Sequence, residues 1–570
     1  TLVVSHDILY VMIIFEEEKQ KKQLESLRRA EEENVVRILS QKYGVPYLDL
    51  SSISINTDAL RLIPEAEAKK ADIAGFKLVG KKIYIAVLSP QKELTKMALR
   101  EIERKGYVPQ LHLVSKQSLA HAWERYAEIS FAEETAAGIL EISNEKLGLF
   151  IENLGTIEDL KGLVTETLGT SKKYHISHIL EILIAGGMAT GASDIHIEPE
   201  EAAVKLRLRL DGVLQDLMFV EYKIYTLLNS RIKLLSGLKL NVKNEAQDGR
   251  FSIKVRDNDI EIRTSVIPGA YGESVVMRLL NPKTISVSFE NLGIEPRLLS
   301  IIQKEIGRPN GMVLNTGPTG SGKTTALYAF LKKIQTPEVK IITIEDPIEY
   351  HLPGITQTQV DEDGEYTFAQ GVRSVLRQDP DVIMVGEIRD KDTARTAIHA
   401  ALTGHLVLAT LHTNNAAGTI PRLIDLGVNN KVISSALTIA IAQRLVRKIC
   451  AECKKERAPT ADEKRIIENI VSHIPAVYKN EIPSSYSLWE GEKCLQCHNT
   501  GFKGRIGVFE AILMDEAIEN IVTQNPSERE IWKAAESQDI LTMQEDGLLK
   551  VFKGITSLEE LDRVVGLTTT

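Results

Sequence analysis

The chain has 570 residues, 43% of them hydrophobic and 26% charged, with a formal net charge of -9. That length suggests about three to five domains, and the apolar content is enough for several cores. The acidic balance and only 5% aromatic residues argue against a strand-binding protein, which draws on a basic stripe and stacking rings, so no nucleic-acid partner is expected.

The start of the chain holds no run of the roughly 20 apolar residues that a spanning helix needs. The short apolar stretch from Ile8 to Phe15 lacks the basic flank and cleavage site of a signal peptide and is expected to be a short buried strand in a cytoplasmic protein. The sequence begins at Thr1, which leaves its true start open. Residues 16–40 combine charge with strong helix formers, the composition of a solvated helix. Two strands joined by a tight turn at Gly80 to Lys82 are expected over 76–88, then a helix over 93–105, a strand over 111–114 and a helix over 117–127. Residues 141–172 alternate glycine with charge and read as a linker.

The next module opens on an apolar helical run at 179–184. Strands are expected over 193–197, 203–210, 251–255, 260–266 and 274–280, with a helix over 224–235. From Gly293 strands alternate with helices, which predicts a parallel α/β sheet. The expected organisation is an N-terminal α+β region over 1–140, the linker over 141–172 and a second α+β domain over 173–290. An α/β motor domain over 291–449, a cysteine lobe over 450–505 and a helical region over 506–570 follow.

Gly317-Pro318-Thr319-Gly320-Ser321-Gly322-Lys323-Thr324 fits the phosphate-loop pattern, and an apolar strand at 312–315 precedes it while a helical run from Thr325 to Ile334 follows. Glycines let backbone N–H groups turn inward around phosphates, and the helix N-terminus favours the negative charge. Lys323 would pair with β- and γ-phosphate oxygens of ATP, and the Thr324 hydroxyl would sit on Mg²⁺. Two later strands end in acids, one leading into Glu345-Asp346 and one into Gly386-Glu387. Ligands bind beyond the carboxyl ends of strands in such sheets. Glu387 is therefore expected to activate the attacking water, with Glu345 and Asp346 on the metal side or positioning water. A bland reading, in which such an acid caps the following helix, stands beside this. His405 and His412 flank another apolar strand; each is either a satisfied core residue or a sensor of the γ-phosphate.

The chain has four cysteines, in two CxxC pairs: Cys450 with Cys453, and Cys494 with Cys497. Four thiolates from two turns suit a closed tetrahedral Zn²⁺ site. Iron in the same ligand set and a redox pair are the alternatives.

The segments GPTGSGKTT, ITIEDPIEY, RQDPDVIMVGEIRD and TGHLVLATLHTNNA, in this order and spacing, closely resemble the type II secretion and type IV pilus assembly ATPase family. The likeness extends to SDIHIEP (193–199), RLRLDGVL (207–214), QDGRF (247–251), PGAYGESVVMRLL (268–280), TGFKGRIGVFE (500–510) and GLLKVFKGITSLEEL (547–561), and so covers about residues 174–570. It implies a RecA-like P-loop motor domain behind a PAS-like second domain, assembled as a homo-hexamer with ATP between the two domains. It also implies an Asp box at Glu345 to Glu349, a Walker B segment ending at Glu387 and a His box from Gly404 to His412. Arg263 and Arg278 of the second domain, and Arg373, Arg377 and Arg389 of the motor domain, are implied to reach the phosphates, and Zn²⁺ at the four cysteines is supported. The implied partner is an inner-membrane platform protein, and through it a pilin or pseudopilin, with the ATPase peripheral to that membrane. Tyr43 to Leu50 with Ile63-Pro64 resembles the platform-docking domain, without the RLG-type motif through which some members bind cyclic di-GMP. Pilus extension is the expected system and type II secretion the alternative; a nucleic-acid translocase and a non-hydrolysing nucleotide-gated scaffold are the rivals from other classes, and the full set Lys323, Thr324, Glu345 and Glu387 argues against the scaffold.

Overall fold

A computed structural model describes residues 31–567 apart from 51–52, 54, 57–58, 61, 80, 129–132, 135–138, 142–154, 170–175, 256–257, 281–286, 362–363 and 365. The expected strand at 8–15 and the first half of the expected helix at 16–40 lie outside these residues; 31–43 are helical. The described chain falls into two compact units, one drawn from residues up to 143 with 162–183 and 223–231, the other from 144–161, 184–222 and 232–570.

In the first unit the strands Ile73–Val79, Lys82–Val87 and Val108–Leu113 form one sheet. The first two pair antiparallel across the tight turn, and the second and third pair parallel after the helix Glu93–Arg104. Leu50, Leu60, Ile73, Ile83, Ile85 and Leu119 bury completely to make its core.

Ile157–Gly169, inside the expected linker, is a helix. Ile157, Leu160 and Val164 recur at helical spacing and are all buried, which outweighs the glycines and charges around them. Six strands of the second unit line up in the order Gln247–Val255, Asn258–Gly269, Gly272–Leu280, Asp194–Pro199, Val204–Leu210, Val213–Val220. The last was not expected. It returns from Val204–Leu210 through Asp211 and Gly212, both at positive φ (49° and 84°), the conformation of a two-residue hairpin turn.

The motor part of this unit is a seven-stranded sheet ordered Thr356–Gln359, Ile341–Glu345, Val382–Val385, Leu406–Leu411, Gly311–Thr316, Leu437–Ile449, Phe502–Leu513. The first six strands run parallel and the last antiparallel. Every residue of Gly311–Thr316 and Leu406–Leu411 is buried. Separate cores built on Met312, Leu314 and Ala409, and on Val313, Leu408 and Ile441, cover the two faces, as a parallel sheet requires. One strand sits between the phosphate-loop strand and the strand that leads to Glu387, the RecA-like order. The helical region expected over 506–570 begins later: Val508, Phe509, Ala511 and Ile512 are buried and continue the antiparallel pairing with Leu437–Ile449 to Leu513. The cysteine lobe is therefore an excursion between two neighbouring strands of the motor sheet. Four helices close the chain, Glu516–Val522, Glu528–Ala535, Met543–Phe552 and Leu558–Val565, each capped by the side chain before it: Asp515, Ser527, Thr542 and Ser557. No described helix is long and apolar enough to cross a membrane.

Candidate functional site

The strand Gly311–Thr316 delivers the loop and the helix Lys323–Ile334 leaves it. Gly317, Gly320 and Gly322 all have positive φ, at 152°, 78° and 89°. A Cβ on Gly317 would lie 2.6 Å from the Gln443 carbonyl and one on Gly322 2.8 Å from Gln443 Nε2, so the loop lies too close to the neighbouring strand for a side chain at either position. Asn315 Nδ2 donates to Gln443 Oε1 at 3.1 Å and fixes that neighbour from below. The buried Ser321 Oγ has no hydrogen-bond partner, an unmet group in a cradle otherwise built of turned amides. Thr324 and Thr325 are half-buried on the first turn of the helix, while Pro318 and Thr319 form the loop's outer edge. Lys323 Nζ folds over the loop and donates to the carbonyls of Gly317 (2.7 Å) and Pro318 (3.0 Å). Burial pushes its ammonium down from 10.5 to about 8, with Glu387 opposing and Arg444 assisting.

Strand ends bring the acids to the same place. Gly386 N donates to Ile344 O at 2.8 Å and Thr410 Oγ1 to Gly386 O at 2.6 Å, which pins the turn carrying Glu387. Glu387 accepts from Arg389 Nε and lies 3.5 Å from His412 Nε2. Burial raises its carboxyl, but Arg389 and His412 outweigh this and hold it below the usual range. Arg389 also pairs with Asp346 at 3.3 Å, so one guanidinium joins two strand ends. Lys323, Glu387, Arg389, Asp346 and His412 thus converge.

Glu345 sits differently. Its carboxylate is buried and accepts from Tyr328 OH, Thr343 Oγ1 and Gln357 Nε2, bracing its strand to the helix after the phosphate loop. The two histidines separate: His405 bonds the Ala400 carbonyl through Nδ1 (3.0 Å) at the far end of the six-residue strand Leu406–Leu411, about 20 Å from the end that carries His412. Arg263 reaches the Ile348 carbonyl at 2.9 Å, and Arg278 pairs with Asp194 at 3.0 Å. Burial pushes the Glu349 carboxyl up against the pull of both arginines, which places the two cations near the Asp box. Arg373 and Arg377 are exposed, and Arg377 bonds back to its own helix through Arg373 O and Ser374 Oγ.

The four cysteines also meet. Their sulfurs lie within 4.8 Å of one another, with Cys450–Cys494 and Cys453–Cys497 at 3.8 Å and Cys494–Cys497 at 3.5 Å. A tetrahedral ion with metal–sulfur bonds of about 2.3 Å has edges of about 3.8 Å, so the set fits zinc. Burial raises the Cys497 thiol, but backbone hydrogen bonding at Cys494 and Gly501 outweighs it and brings it to about 7, with Gly501 N donating to the sulfur at 3.2 Å.

The profile of the family described as Type II/IV secretion system protein matches residues 170–563, and the MshEN domain matches residues 43–133. Type II secretion system protein E of Klebsiella pneumoniae is 37% identical over 84% of this chain and 91% of its own length. The type IV pilus assembly ATPase PilB of Myxococcus xanthus is 34% identical over 94% of this chain and 91% of its own length. The solved structure of the pilus retraction motor PilT with bound ADP, 28% identical, aligns over 68% of this chain and 96% of that one at a TM-score of 0.45.

Proposed function

The chain belongs to the Type II/IV secretion system protein family, and from that premise we propose that it is a hexameric ATPase that powers type IV pilus assembly. It would act from the cytoplasmic side of the inner membrane, on a platform protein that passes the motion to pilin. The convergence of Lys323, Glu387, Arg389 and His412 at the carboxyl ends of the motor strands carries the ATPase reading. The longer alignment with the pilus assembly relative, 94% of this chain against 84% for the secretion relative, favours the pilus system. Removing the gene from its host separates the two. Loss of pili with protein export intact supports pilus assembly; loss of export with pili intact assigns type II secretion.

In this reading the loop amides from Gly317 to Thr325 and Lys323 hold the polyphosphate of ATP. Thr324 and Asp346 would hold Mg²⁺, which would supply charge neutralisation to the phosphates, while Glu345, engaged by its three internal donors, braces the strand behind them. Glu387 takes the proton of the attacking water, and its pairing with Arg389 and His412 fixes its orientation. Arg263 and Arg278 stabilise charge on the transferred group from the second domain. Their replacement by Ala is expected to lower kcat at least tenfold with little change in the melting temperature of the motor part, because both side chains lie at the rim rather than in a core. Unchanged kcat in the double variant would remove them from the chemistry.

The cysteines hold one structural Zn²⁺ in this proposal, with no open coordination position. Cys494→Ser with Cys497→Ser is expected to release the metal and loosen residues 450–501, because binding energy at such a site is folding energy. ATP binding is expected to persist. Elemental analysis reads the stoichiometry, and four freely titratable thiols in the native protein with no bound metal would defeat the assignment.

A further inference from the structure

A second cation stands at the phosphate loop that no motif names. The strand Leu437–Ile449 runs parallel to Gly311–Thr316, with Ala442 opposite Thr316, and so carries Arg444 to the mouth of the loop two residues later. Arg444 Nη1 donates to the Gln443 carbonyl at 3.1 Å, the carbonyl that closes over Gly317, and a Cβ on Gly317 would lie 3.1 Å from that same Nη1. Its Nη2 donates to Asn414 O at 2.7 Å, two residues beyond His412. One guanidinium therefore spans the start of the phosphate loop and the segment that carries His412.

Its charge is not matched. Among the described residues no carboxylate lies within 4 Å of Arg444. Glu510 faces it from farther off, and both Glu510 oxygens are already taken, by Ala416 N at 2.9 Å and Met543 N at 3.1 Å. Asn414, Asn415, Trp532, Thr542 and Gln544, all neutral, line a cavity of about 510 Å³ shared with Arg444 and Glu510. Burial lowers the guanidinium pKa, Glu510 opposes this, and Arg444 in turn depresses Lys323. Two like charges flanking Gly317, one desolvated and unpaired, are relieved by an anion between them. A planar fork of N–H donors suits phosphate oxygens.

We propose that Arg444 is a second phosphate-binding cation of the nucleotide site, gripping the polyphosphate from the His412 side while Lys323 grips it from the loop. This rests on reading Gly317 to Thr324 as the nucleotide loop. The rival role is a neutral staple between two loops, and two substitutions in the full chain separate them. Arg444→Gln keeps a donor for the Asn414 carbonyl and loses the charge, whereas Arg444→Lys keeps the charge and loses the fork. Binding is read with ATP and with inorganic pyrophosphate as probes. A phosphate role predicts that Arg444→Gln weakens both about ten- to a hundredfold, the range for one charged hydrogen bond, while Arg444→Lys stays within a few-fold of wild type. It also predicts that the alkaline loss of ATP affinity, which tracks Lys323, moves to higher pH in Arg444→Gln, because a like charge has gone. Wild-type pyrophosphate affinity in Arg444→Gln with the pH profile unmoved would overturn the proposal and leave a staple. Failure of the wild-type chain to bind either probe would instead sink the nucleotide reading itself.

Discussion

Glu387→Gln is expected to bind ATP within a few-fold of wild type and to turn it over about 10²- to 10⁴-fold more slowly, the contribution typical of a positioned general base. The amide keeps the shape and one acceptor toward Arg389 but has no basic oxygen. The wild-type carboxyl lies below the usual range because Arg389 and His412 outweigh its burial, so it stays ionised well below neutral pH and is ready to accept a proton. Steady-state phosphate release beside an equilibrium titration with ATP makes the distinction. Glu345→Gln is the control. Its carboxylate accepts three internal donors, and an amide would turn a donor toward them, so a loss of about 1–3 kcal/mol in stability is expected. Glu387→Gln should leave the melting temperature unmoved. A Glu345→Gln protein that is inactive at full stability, beside an active Glu387→Gln, would reverse the two roles.

Lys323→Ala is expected to abolish measurable hydrolysis and to weaken ATP binding strongly, since removing one preorganised donor from a transition-state oxygen alone costs about 10²–10³ in rate. The sign of the pH dependence follows from the lysine's environment. Burial lowers its ammonium from 10.5 to about 8, so in the nucleotide-free chain it is charged below pH 8 and neutral above it. Phosphate requires the charged form. Wild-type ATP affinity should therefore fall as pH rises above about 8, with up to one proton taken up on binding, and Lys323→Ala should show no such fall. A flat wild-type profile from pH 7 to 9.5, or wild-type turnover in the variant, would remove this lysine from the mechanism.

The phosphate loop was legible because its chemistry dictates spacing: glycines that the backbone must turn on and one lysine, between a strand and a helix. The acids were legible for the same reason, since strand ends in a parallel sheet face one edge. That argument also separates the histidines, because only His412 lies at the carboxyl end of its strand. Composition hid the helix at 157–169, where three buried positions outweigh a glycine-rich background. The strand Val213–Val220 was announced by Asp211-Gly212, a turn pair with a hairpin geometry. Arg444 had no such signal: it is the first of three charges, before Arg447 and Lys448, in a largely apolar strand, and its importance comes from the register that sets Ala442 against Thr316.

The cysteine lobe leaves the motor sheet after Ile449 and returns at Phe502, yet those two residues face each other across adjacent strands. For the unfolded chain this is a long loop to close before any ladder bond rewards it. Gathering the four sulfurs pinches that loop at its neck, and the two strands then meet as a short hairpin would. On a logarithmic closure scale the difference between some fifty residues and a handful is about 2 kcal/mol. On the proposed metal assignment, the supply of metal during synthesis would govern how fast the last strand joins the motor, and a chain made without metal would spend longer with the flank of Leu437–Ile449 open to other strands.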